Sequence, residues 1–227
     1  MRGANVTMSA LLAAENPGTG LASVLGEFGP TIDGAVVFEN YTARAEAGQF
    51  IRVPAIVGNN DYEAGLFILI EAGTGVTIAQ STWDAFDLGV FTCPASAAAG
   101  LRRQAGLPAW RYRYFGMYPN LQLPTSADRA WHGAELLPLF GSSEAVTRED
   151  STWQERAVGA YMRGAWAAFA RCPQSGLVGY GWPLYERGRP TEVLIGMGND
   201  TTVSFADPAV YDTTCGPFPY GGAANED

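Results

Sequence analysis

Apolar residues along this chain fall into short runs of strand period and longer stripes of helix period, and the order of the two is informative. Residues 53–57 form an apolar run that ends at Gly58 and read as a buried strand. Residues 96–105 are rich in alanine and read as a helix, and residues 109–115 alternate aromatic side chains with arginine and read as a second strand. Strand, helix, strand is the βαβ signature of a parallel sheet. Residues 117–129, with Pro119, Asn120, Pro124 and Asp128, read as a loop that delivers the chain to His132 just beyond a strand. Loops at the carboxyl ends of parallel strands form the crevice of such folds.

The clearest helix covers residues 151–172, with Ser151 as its cap, Glu155 in its first turns and Pro173 as its stop. Trp153, Ala157, Tyr161 and Ala165 make one apolar stripe and Val158, Met162, Trp166 and Phe169 a second, a pattern that suits core packing better than a partner-binding face. Residues 192–197 read as a last strand and 217–227 as a loose tail. Near the start, residues 8–15 read as a helix stopped by Asn16-Pro17-Gly18. No internal repeat, low-complexity segment or linker divides the 227 residues, so one α/β unit is expected.

With 47% hydrophobic, 12% aromatic and 16% charged residues the chain has the material for a core and does not read as disordered. A net charge of −9 argues against nucleic acid and anionic membrane surfaces as partners, since both need a basic face. No apolar stretch is long enough to cross a bilayer. Asn5, Thr7 and Ser9 interrupt the apolar patch at the start, which argues against reading it as a signal peptide. Three cysteines leave one over after any pairing; with no C-x-x-C and a single histidine they do not read as a zinc site. Asn5, Asn40 and Asn199 each open an N-x-T triplet and are candidate glycosylation sites.

The single histidine concentrates the chemistry. His132 sits in Ala130-Trp131-His132-Gly133-Ala134-Glu135-Leu136-Leu137-Pro138-Leu139-Phe140-Gly141, and a catalytic imidazole needs a carboxylate partner. Upstream, Pro54-Ala55-Ile56-Val57-Gly58-Asn59-Asn60-Asp61-Tyr62-Glu63-Ala64-Gly65-Leu66-Phe67 runs as an apolar strand into a turn that presents one. These two segments, together with Phe28-Gly29-Pro30-Thr31-Ile32-Asp33-Gly34, Phe91-Thr92-Cys93-Pro94-Ala95, Trp110-Arg111-Tyr112-Arg113-Tyr114-Phe115 and Gly181-Trp182-Pro183-Leu184-Tyr185, resemble the C-terminal part of the type-B carboxylesterase/lipase family, the cholinesterase-like branch of the α/β-hydrolase fold.

The resemblance implies a partial, mostly parallel sheet flanked by helices, with Glu63 the acid and His132 the base of a Ser-Glu-His triad, in the chain order such enzymes use. The family's serine lies on a G-x-S-x-G elbow, and no serine here has glycine both two before and two after it; Ser143 comes nearest, with Gly141 before it but Ala145 after. Neither the elbow nor the Gly-rich loop of an oxyanion hole is recognisable. Residues 1–227 are therefore expected to be the C-terminal part of a carboxylesterase domain, inactive in isolation, in an enzyme that hydrolyses small-molecule or lipid esters without a cofactor. The alternative is a non-catalytic binding or adhesion module, or a truncated pseudoenzyme. The resemblance also implies a secreted protein, a disulfide between Cys93 and Cys215, and Cys172 left free or paired outside this chain. Glu135 is a candidate supporting residue for the site's hydrogen bonds. Trp131 suits a pocket wall and ordinary packing equally, and Asp33 in its Asp-Gly turn suits a loop-shaping role.

Overall fold

The computed structural model describes Leu21, residues 30–124 and residues 128–215. The helix expected at 8–15, the tail at 217–227 and the triplet at Asn5 lie outside the described residues. A short helix, α1 (Tyr41–Glu46), is capped by Asn40, whose side chain accepts from the Ala43 amide. One sheet follows: β1 (Ala55–Asn60), β2 (Ala109–Tyr114), β3 (Glu192–Ile195) and β4 (Ser204–Ala206), in that spatial order. The first three strands are parallel and β4 returns antiparallel along β3.

Parallel neighbours need a crossover, and that between β1 and β2 consists of α2 (Ala64–Ala72), α3 (Gln80–Phe86), a π-helical turn (Asp87–Thr92) and α4 (Cys93–Gln104). β1 and β2 pair from Ala55 against Ala109 to Asn60 against Tyr114, so they finish level. Whatever follows each strand emerges on the same rim of the sheet. Gly58 leaves room for the ring of Tyr112, its partner in register, which a Cβ at that position would overlap.

The alternation of β2 separates two environments. Trp110, Tyr112 and Tyr114 contribute to the main core with Val158, Met162 and Ala165 of α7 (Trp153–Arg171). Edge-on contacts of Trp110 with Phe169 and Tyr112 with Trp166 extend it. Arg111 and Arg113 point to the other side and are buried there with partners of their own. Arg111 meets Glu192 at 3.3 Å and Asp212 at 2.6 Å, and Asp212 also accepts from Ser96 at 2.6 Å. Asp212 ends α9 (Ala209–Asp212), three residues before Cys215, and Cys215 is bridged to Cys93 at the start of α4. A buried charge cluster and a disulfide thus fasten one segment. Between β2 and α7 lie α5 (Leu136–Phe140) and α6 (Ser143–Thr147), and α8 (Gly176–Gly179) follows α7.

Several boundaries differ from the sequence reading. The first strand spans residues 55–60 and not 53–57, because Asn59 and Asn60 continue the ladder with Arg113 and Tyr114. The long helix is capped by Thr152, whose hydroxyl accepts from the Glu155 amide at 3.1 Å, and not by Ser151. Trp153, placed above in an apolar stripe, is 67% exposed; the buried face runs instead through Glu155, Val158, Gly159, Met162 and Ala165. The last parallel strand stops at Ile195 because Gly196 turns left-handed at φ +70°.

Candidate active site

The rim where β1 and β2 end carries both members of the expected acid–base pair. β1 runs directly into residues 61–63, and Glu63 opens α2. Its carboxylate is buried and held at both oxygens: Oε1 accepts from the Asn60 amide at 2.6 Å, and Oε2 lies 2.7 Å from Nδ1 of His132. The imidazole side chain is 45% exposed and stands beside the rings of Phe67 and Phe91, with centroids 5.3 Å and 5.1 Å away. A carboxylate cannot donate, so Nδ1 carries the proton, and Nε2 of the neutral ring is left as an acceptor. The hydrogen bond to Glu63 raises the imidazole pKa above its ordinary value, against a smaller opposing effect of burial.

Backbone geometry places the base. The chain turns sharply after His132 at Gly133, φ +87°, a conformation that an L side chain resists. Trp131 packs its ring against the main core and donates its indole N–H to the Leu121 carbonyl at 2.6 Å, so it acts as a packing anchor. Glu135 joins the site through Asn60, whose Nδ2 donates to Glu135 Oε2 at 2.5 Å and to the Trp131 carbonyl at 2.7 Å. Burial raises the Glu135 pKa, with the Asn60 hydrogen bond opposing. Asp33 lies apart from this site and shapes its own loop, its Oδ1 accepting from the amides of Ala35, Val36 and Val37.

The sequence reading missed a second layer. Asp61 is gripped by Arg129 and Arg113, at 2.7 Å and 3.3 Å, and its carbonyl accepts from both guanidiniums at 2.8 Å. Asp87, in the π-helical turn, accepts from the Ala64 amide at 3.3 Å, and burial pushes its pKa up to about 6. The signal was present in the run Asn59-Asn60-Asp61, three polar residues where an apolar strand ends. Ser143, the nearest approach to an elbow serine, is buried at the start of α6 beside a polar cavity of about 290 Å³ and makes no hydrogen bond to His132. Among the described residues no cluster of three or more His, Cys, Asp or Glu is placed to hold a metal ion, and no helix is long and apolar enough to cross a membrane. Asn40 is exposed, Asn199 is half-buried with its Oδ1 accepting from the Met117 amide, and Cys172 is exposed and free of any disulfide.

No protein-family model matches the chain. Secreted lipase 5 of Gibberella zeae is 28% identical over 180 residues, 75% of this chain and 33% of the lipase. A chlorogenic acid esterase of Aspergillus niger is 30% identical over 209 residues, 86% of this chain and 40% of the esterase. The chain therefore spans between about a third and two-fifths of the length of these curated relatives. Among solved structures a PNB esterase superposes with a TM-score of 0.68 at 19% identity, over 92% of this chain and 47% of that one. The chain has an α/β-hydrolase fold, and its sequence relatives include a lipase and an esterase.

Proposed function

We propose that this chain supplies the acid, Glu63, and the base, His132, of a Ser-Glu-His carboxylic ester hydrolase of the type-B carboxylesterase kind, and that it corresponds to the C-terminal part of that catalytic domain. The observation that carries the reading is the 2.7 Å contact between Glu63 Oε2 and His132 Nδ1, which leaves Nε2 as the free acceptor on a half-exposed ring. A serine from outside these residues attacks the ester carbonyl while Nε2 takes its proton. The imidazolium then returns a proton to the leaving alcohol, and water repeats the cycle on the acyl-enzyme. Glu63 holds the ring in one tautomer and stabilises its charged form.

The names of the relatives support esters as the substrate class, and the lipase described as secreted, with the Cys93–Cys215 bridge, supports an exported protein. No comparable observation favours a binding or adhesion module. The test is hydrolysis of an activated aryl ester by the 227-residue chain. Turnover at the buffer rate is expected, because removal of the nucleophile and oxyanion hole leaves little to accelerate the reaction. Turnover that disappears on His132→Ala would overturn the placement of the serine outside this chain.

A further inference from the structure

We propose that Arg129 is a positioning residue that sets the separation of Glu63 and His132 by clamping the turn that carries one to the loop that carries the other. The inference rests on the reading of those two residues as a working acid–base pair. Arg129 lies three residues before His132 and grips Asp61, two residues before Glu63. Its fork engages that residue twice: Nε lies 2.7 Å from Asp61 Oδ2, and Nη2 donates to the Asp61 carbonyl at 2.8 Å. The guanidinium also lies over the ring of Tyr62, 4.3 Å from its centroid.

The clamp is one rung of a ladder between the segments 60–63 and 129–132. Asp61 holds Arg129, the Tyr62 amide donates to the Ala130 carbonyl at 2.9 Å, Asn60 donates to the Trp131 carbonyl, and Glu63 meets His132. Asp61 is itself anchored to the sheet through Arg113 of β2 and by its amide, which donates to the Tyr114 carbonyl at 2.8 Å. Arg129 therefore fastens the base loop to a residue that the strand ends hold in place. Its other charged and titratable neighbours are Tyr62 and Asp87, and those of His132 are Glu63 and Glu135.

A positioning role and a purely electrostatic role have opposite signs at the imidazole. Taking a cation away from the neighbourhood of His132 raises its pKa by Coulomb's law, whereas loosening the Glu63 contact lowers it towards the ordinary value. Since the chain has one histidine, its Cε1–H resonance reports this pKa without assignment ambiguity. In the full chain, Arg129→Gln is expected to lower the pKa by about half a unit or more, and Arg129→Lys, which keeps the charge but lacks the fork, is expected to lower it too. An unchanged or raised pKa in Arg129→Gln overturns the proposal. Dispersed indole resonances of the six tryptophans establish that each variant is folded; if Arg129→Gln loses them, Arg129→Lys carries the same test. Glu63→Gln separates the two levels of the argument. If it leaves the pKa in place, the acid–base pair itself fails; if it lowers the pKa and the Arg129 variants do not, only the clamp fails.

Discussion

The imidazole of His132 owes its chemistry to one contact, and that contact has a thermodynamic signature. Its pKa is raised in the folded protein, chiefly by the hydrogen bond that its Nδ1–H donates to Glu63. A raised folded value means that the pair contributes stability fully present below the unfolded histidine value of about 6.5 and lost as pH rises through the folded value. Glu63→Gln is therefore expected to lower the melting temperature more at pH 5.5 than at pH 9; an equal loss at both would show that the two groups are not coupled. The family resemblance singled out Glu63 and His132 in the sequence, and the structure brings the two into contact. Asn60, Asp61 and Arg129 were not singled out, because their roles depend on two loops, about seventy residues apart, meeting on one rim.

Strand and helix types follow the sequence periodicity closely at this scale. The strands around 55–60 and 109–114 and the long helix appear where the pattern places them. The arginines of β2 show what periodicity omits: alternation gave their side of the sheet, but only the tertiary structure shows Arg111 paired with Glu192 and Asp212 and Arg113 with Asp61. Helix ends were harder to read, since Ser151 and Thr152 are both good caps and the choice depends on which hydroxyl reaches the third amide. Thr152→Ala is expected to cost about 1 kcal/mol, a fall in melting temperature of roughly 2–4 °C, with Ser151→Ala close to neutral. Equal losses in the two variants would contradict the cap assignment.

For the whole molecule, the buried cluster around Arg111 ties stability to pH. Burial pushes the Glu192 pKa up to about 7 despite the arginine beside it, and Asp212 already pairs with that guanidinium. Asp87 is raised to about 6 by the same cause. Carboxyls raised on folding contribute stability below their unfolded values, near 4, that is lost as pH climbs through 6 and 7. The melting temperature is expected to fall between pH 5 and pH 8, and Glu192→Gln, which keeps the shape and removes the charge, is expected to shrink that fall; a variant with the wild-type slope would show that Glu192 does not titrate there.

The measurement that tests the central claim most directly is labelling of the native source material with a serine-directed fluorophosphonate, followed by identification of the peptides in each labelled band. A labelled band clearly larger than 24.2 kDa that contains peptides of this chain is the result expected of the acid–base half of a serine esterase. Peptides of this chain found only in an unlabelled band of about 24.2 kDa would contradict it.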